Sequence, residues 1–337
     1  MKRLLILAGI FLLLAILTIV YLQKRPVEQG SLIGSDRQFA VADQEIKKIF
    51  LANRIDGSTT TLERRGKDWI YNGKYKARPN AMENLLRALT DIQMMYKPAD
   101  AAVPNMLSDL ATRGIKVEIY GDSDSPEKVY YIGGSPADER GTYAILEGAE
   151  QPYVTHIPGW EGNLRFRYNL KGDDWRDRSI FSVREKEIES LSLEYPKQRQ
   201  HSFRLESEGA GFRVAPFYSL QDKIEDVASS DRIIAFLDGF EQLGAETFRN
   251  DHPGRDSIRQ LVPFCTIRLK KKNAEEQVVR LFPIFPDNVV YDAKLNQYEV
   301  NAPTQVERYF VDINGEDFLL AQHRLMKDIL WSYQSFY

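Results

Sequence analysis

Cysteine is almost absent from this 337-residue chain. Cys265 stands alone, which rules out an intrachain disulfide and a thiolate metal cage. Histidine is nearly as scarce. His156, His201, His252 and His323 lie 45, 51 and 71 residues apart, and no two share the i, i+4 spacing that presents two imidazoles to one metal ion. Neither sign of charge dominates, since 45 Lys plus Arg against 48 Asp plus Glu leave −3. The concentrated positive face needed for phosphate backbones is missing, which argues against nucleic acid as the main partner. There is no P-loop, no G-x-G-x-x-G and no G-x-S-x-G elbow. No cofactor is implied.

Apolar residues, by contrast, are plentiful: 43% of the chain is hydrophobic and 11% aromatic, with 28% charged, a composition that folds. The length suggests two domains of roughly 150 residues. Leu4 to Leu22 runs for nineteen positions without a charge, and fourteen of these are Leu, Ile, Val or Phe. As a helix it would reach about 28 Å, close to the ~30 Å hydrocarbon core. A cleaved signal peptide has a shorter apolar stretch of about 7–15 residues. Gln23-Lys24-Arg25-Pro26 is also a poor cleavage context. The expectation is therefore an uncleaved single-pass signal-anchor with the lipid bilayer as its partner. Lys2 and Arg3 nearly balance Lys24, Arg25 and Arg37 across the span. A short tail before a large body favours export, which places the C-terminal part outside the cytoplasm.

The rest of the chain carries an internal duplication. Glu45-Ile46, Ile49 and Leu51 match Glu187-Ile188, Leu191 and Leu193 at an offset of 142. Leu62-Glu63 and Trp69 match Leu205-Glu206 and Phe212 at 143. Leu85, Leu86, Leu89 and Ile92 match Ile233, Ile234, Leu237 and Phe240 at 148, and Ile115, Val117 and Ile119 match Cys265, Ile267 and Leu269 at 150. Tyr153-Val154 is paired with Tyr309-Phe310 at 156. The growing offset implies loop residues gained by the second copy. Alternating runs such as Ile115–Ile119 predict half-buried antiparallel strands, and Pro79 to Ile92 and Ser230 to Leu243 predict helices. Further strands are predicted at 289–291 and 309–313, and Asp317 to Trp331 reads as a helical copy-ending element. The predicted fold class is α+β. An N-terminal transmembrane helix (1–22) and a tether (23–38) precede two tandem antiparallel-sheet-plus-helix domains, 39–181 and 182–337.

Candidate chemistry is thin. Asp122, Asp124 and Glu127 lie close together in Gly121–Glu127, but without the glycine and the bidentate glutamate of a calcium loop they read as a solvated turn. Asp173, Asp174 and Asp177 alternate with Trp175, Arg176 and Arg178, a pattern of charge pairing; two carboxyls working across a cleft would need loops the sequence cannot bring together. Cys265 falls on the apolar side of a strand, where it acts as a small hydrophobe. Tyr130, Tyr131, Tyr143, Tyr153 and Trp160 serve either cross-strand packing or a sugar-stacking face, with Tyr143 and Trp160 as the ligand-facing pair. No catalytic, cofactor-binding or metal-binding residue is assigned.

Several segments, namely Phe39–Leu51, Leu62-Glu63-Arg64 with Trp69, Ile115–Tyr120, Gly141-Thr-Tyr143, Glu150–Pro158 and Asp174-Trp175-Arg176, resemble a family of bacterial membrane-anchored proteins of unknown function, the domain-of-unknown-function family numbered 4340. The resemblance is clear over 39–181 and weaker beyond. It implies one N-terminal span and an envelope accessory role beside ABC transporter components, and it carries no catalytic residues. The expected function is a non-catalytic, single-pass accessory or scaffold protein of a membrane assembly. Alternatives are an extracytoplasmic polysaccharide-binding module and, behind it, an envelope hydrolase.

Overall fold

Alternation of buried and half-buried side chains along strands such as Lys48–Asn53 and Ile115–Tyr120 underlies the architecture seen in a computed structural model, which describes residues 38–209, 211–272, 276–285 and 306–337. Two compact units divide between Lys171 and Gly172. The first contains β1 (Lys48–Asn53), β2 (Thr59–Arg65), β3 (Asp68–Tyr71), β4 (Tyr75–Lys76), α1 (Pro79–Thr90), β5 (Gln93–Tyr96), α2 (Val103–Arg113), β6 (Ile115–Tyr120), β7 (Lys128–Ile132), β8 (Thr142–Leu146) and β9 (Tyr153–His156). These strands form one nine-stranded sheet in the order β4-β3-β2-β1-β6-β7-β8-β9-β5. In β1 and β6 every second side chain is buried, so one face of the sheet is apolar. α1 covers apolar surface because Met82, Leu85 and Leu89 recur at helical spacing and are buried, with Pro79 fixing its first turn.

The second unit contains β10 (Ser179–Phe181), β11 (Ile188–Glu194), β12 (Phe203–Glu208), β13 (Gly211–Pro216), α3 (Ser230–Asp238), β14 (Leu243–Gly244), β15 (Thr247–Phe248), α4 (Arg255–Arg259), β16 (Cys265–Lys271), β17 (Glu276–Ile284), β18 (Arg308–Ile313), β19 (Asp317–Gln322) and α5 (His323–Met326). Its main sheet runs β13-β12-β11-β16-β17-β18-β19-β15, and β10 pairs with β14. The Ser229 hydroxyl accepts from the Arg232 N–H to cap α3. Ile233, Phe236 and Leu237 then point into a core shared with Leu191, Leu193, Phe203, Ile267 and Phe336.

The duplication read from the sequence recurs as register. Ile49 sits opposite Ile119 on one side and Leu62 on the other. Leu191 sits opposite Leu269 and Leu205 in the same way. Val117 faces Tyr130 as Ile267 faces Val279. Both sheets therefore place β1 or β11 beside β6 or β16, in the same order, with the same residues facing the core.

The fold class needs correcting on two counts. Helices are not equal partners: three antiparallel sheets carry the structure, and the longest described helix has 12 residues. The transmembrane helix expected at Leu4–Leu22 gains no support. Among the described residues no helix is long and apolar enough to cross a membrane, and Leu4–Leu22 itself lies outside them. The end of the second copy also differs from expectation. Asp317–Gln322 is a strand, not the start of a helix, because its apolar run is buried between β15 and β18. By register Val311 stands where Ala144 does, each opposite the strand before it, so β18 answers to β8 and β19 to β9. Pairing Tyr153-Val154 with Tyr309-Phe310 was thus one strand out of step. The strand predicted at 289–291 lies outside the described residues.

Candidate functional site

Between the end of β13 and the start of α3 the second unit has a longer connection than the first, which is where the offset rises from 143 to 148. That connection, 217–229, forms one wall of a cleft of about 470 Å³. Arg199 and Gln200 supply a second wall, and Tyr333 and Gln334 a third. Such a volume suits a small ligand or a few side chains of a partner.

Side-chain bonds hold the loop in place. The Gln221 amide donates to the carbonyls of Gln200 at 3.0 Å and Ser202 at 2.8 Å. The Ile224 N–H donates to the Tyr333 hydroxyl at 3.4 Å, and Ile224 packs on the core. The Tyr218 hydroxyl donates to Glu194 at 2.7 Å, while the Arg199 guanidinium lies 5.0 Å above its ring. Partial burial and then that bond to the Glu194 carboxylate hold the Tyr218 phenol protonated, pushed up to about 12. Next to the wall, burial lowers the pKa of His201, whose Nδ1 has no hydrogen-bond partner. Two apolar side chains remain outside: Leu220 is 97% exposed and Val227 is 93% exposed. A hydrogen bond to a carboxylate, a cation over a ring and exposed aliphatic tips suit recognition. The described walls present no paired nucleophile and base.

The residues singled out by sequence fall elsewhere. Tyr143 lies in β8 opposite Val154; burial, then Tyr96, Asp109 and Asp138, raise its phenol pKa. Trp160 lies in the turn after β9, tilted against Phe166 at 5.7 Å, with the Arg167 guanidinium 5.0 Å from its ring. Tyr130 is buried edge-on to Phe39 and Tyr168, and Tyr153 also packs on Phe39. Tyr131 bonds Glu147 on the opposite face. The five rings thus divide between core and surface rather than forming one platform.

The acidic stretch is committed to arginines. Asp173 and Asp317 grip the buried Arg176 at 2.9 and 2.6 Å, and Asn250 bonds both carboxylates. Asp174 pairs with Arg178, and Asp177 accepts from the Ser179 N–H and hydroxyl. Asp122 and Asp124 are exposed in the turn between β6 and β7. Cys265 is fully buried, and burial pushes its thiol up. Among the described residues no three His, Cys, Asp or Glu side chains are gathered for a metal ion.

The cleft leaves only a faint mark in the sequence, the offset step itself, since Leu220 and Val227 stand among other apolar residues such as Phe217 and Ile224. A second buried ionic cluster, Asp312 between Arg259 and Arg280, gave no signal, because its members are 21 or more residues apart.

The family described as a domain of unknown function, DUF4340, matches residues 69–258, more than half of the chain. The match begins in β3 and ends in α4, so it reaches further into the second unit than the resemblance in sequence suggested. No curated protein and no solved structure matches.

Proposed function

The chain belongs to the DUF4340 family, and on that premise we propose that it is a non-catalytic accessory protein of a membrane assembly in the cell envelope, which holds a partner through its second unit. The observation that carries this reading is the elaboration of one copy only. On a repeated framework, the second unit alone adds a loop that is pinned by Gln221 and tipped with solvent-facing Leu220 and Val227. We read these aliphatic tips beside the cleft as part of its recognition surface. The uncharged run from Leu4 to Leu22 supports a place at the membrane. The partner we assign is a component of a membrane complex such as an ABC transporter. Crosslinking in cells, detergent extraction and affinity purification should recover a defined membrane protein with this chain. Repeated recovery of the chain alone would contradict the reading.

The polysaccharide reading retains one feature, the half-exposed Trp160–Phe166 pair, but the Arg167 guanidinium lies about equally close to both rings, at 5.0 and 5.1 Å. A glycan array on which binding disappears with Trp160→Ala would favour it, and a blank array would remove it. The hydrolase reading needs an acid and a base free to exchange protons. In the Asp173–Asp317 pair both candidates are already engaged by Arg176 and Asn250.

A further inference from the structure

Arginine is seldom buried without a carboxylate, because taking its charge out of water is costly unless an opposite charge replaces the lost hydration. Arg167 departs from that rule. It ends the short turn Leu164–Arg167, which the Asn163 side chain caps by accepting from the Arg165 N–H at 2.7 Å. The turn packs on α1, and Arg167 is left 5% exposed. Its guanidinium lies 5.0 Å from the Trp160 ring and 5.1 Å from the Phe166 ring. Nη1 donates to the Asn84 carbonyl at 3.1 Å and to the Asn84 Oδ1 at 2.9 Å. The Nε–H is buried with no acceptor. Nη2 also lacks an acceptor and, unlike Nε, is not sealed from solvent. Among the described residues no carboxylate pairs with this cation.

The neighbouring charge has the same sign. Arg87 follows Asn84 by three residues on α1, so the two project from one side of the helix. Burial, and then Arg87, lower the pKa of Arg167, but a guanidinium stays charged at physiological pH. Arg87 itself is half exposed and meets Asp91 loosely, at 3.8 Å. Asn84 adds to the imbalance: with its Oδ1 accepting from Arg167, its side chain has only the Nδ2 donors left to offer. A ring under a cation offsets part of the cost of burial and satisfies no N–H. Where Nη2 comes to the surface, donors and positive charge therefore gather without an acceptor.

We propose that Arg167, Arg87 and the Asn84 amide form a binding site in the first unit for a phosphate group, free or as a monoester. Such a group brings about two negative charges to two guanidiniums, and three or more oxygens to donors that come from different side chains. A carboxylate would neutralise one guanidinium and leave the other unmatched. The fixed fork of arginine suits phosphate geometry, and a site shielded by rings strengthens each bond. Phe166, 52% exposed, sets an apolar ring beside the site, where the body of a lipid monoester would find contact that free phosphate does not use. This site belongs to the first unit and does not depend on the docking role of the second.

The test titrates the purified full chain, in a neutral phosphate-free detergent, with inorganic phosphate at constant ionic strength. Trp160 emission is the readout, with Trp160→Phe as its control and calorimetry as the second measurement. Saturable binding should appear, weaken at least tenfold in Arg167→Gln and weaken severalfold in Arg87→Gln. The Arg87 position is exposed, so that variant decides the matter even where Arg167→Gln fails to fold. Dihexanoyl phosphatidic acid below its micelle concentration is the second probe. Binding tighter than that of inorganic phosphate assigns the site to a lipid monoester, and equal or weaker binding assigns it to free phosphate. Absence of saturable binding by both probes would overturn the proposal. So would binding unchanged in Arg87→Gln, or acetate binding as tightly as phosphate, which would make the ligand a carboxylate.

Discussion

Replacing Asp312 with alanine should destabilise the second unit more than any surface change. Asp312 lies in β18 opposite Arg280 of β17 and is 1% exposed. One carboxylate oxygen meets Arg259 at 2.6 Å, and the other meets Arg280 at 3.0 and 2.8 Å. Its removal leaves two guanidinium groups facing each other without a counter-charge. Breaking a buried pair from one side costs about 3–5 kcal/mol, and because Arg280 is partly solvated the lower end, about 3 kcal/mol, applies. For a unit of this size that lowers Tm by about 6–12 °C. Replacing all three groups with apolar residues of similar volume should restore most of the loss, since the desolvation of the charges disappears with them. Calorimetry on the single and triple variants decides the matter. A Tm within 2 °C of the parent for Asp312→Ala would refute the reasoning, as would a triple variant less stable than the single one.

Three further outcomes follow from burial and charge. Ile233→Ala should cost about 2–4 kcal/mol in urea unfolding, whereas the neighbouring Ile234→Ala, at a position 44% exposed, should stay within about 0.5 kcal/mol; equal effects would mean that α3 is turned otherwise. Burial lowers the pKa of both His201 and His323, with Lys327 adding to the effect at His323. The unfolded chain therefore takes up protons first as pH falls below 6.5, so their contribution is intact above 6.5 and lost below it. The urea midpoint should drop between pH 7 and 5, above the range of the carboxylates, and His201→Gln with His323→Gln should flatten the drop. Gly162→Ala should cost about 1–3 kcal/mol by thermal melt, because its φ is +123° and a Cβ would come 3.1 Å from the Trp160 ring.

How much of this was legible depended on period. β1, β6 and β16 alternate cleanly, so their existence, their buried faces and their counterparts in the other copy could be read directly. Leu85 and Leu89, like Ile233 and Leu237, gave α1 and α3 by spacing, although α3 ends at Asp238, earlier than the apolar residues suggested. Periodicity failed at Phe318–Ala321, four buried residues in succession, where a short apolar run cannot distinguish strand from helix. Once that strand was taken for a helix, the final repeat match slipped by one strand. The helices carry less of the structure than the expected sheet-plus-helix plan implies, because connections such as Arg255–Arg259 are helical for only five residues and form no layer. At the candidate site, each polar group is ordinary in sequence. Glu194, Arg199 and Tyr218 acquire meaning only when three separate segments meet, and nothing local encodes that meeting.

A photoreactive amino acid placed at Leu220 in living cells tests the docking role of the second unit most directly, with Ile55 of the first unit as the control position, itself 60% exposed. The account predicts one defined adduct with a membrane protein from Leu220 and none from Ile55. No adduct from Leu220, or the same adduct from both positions, would contradict it.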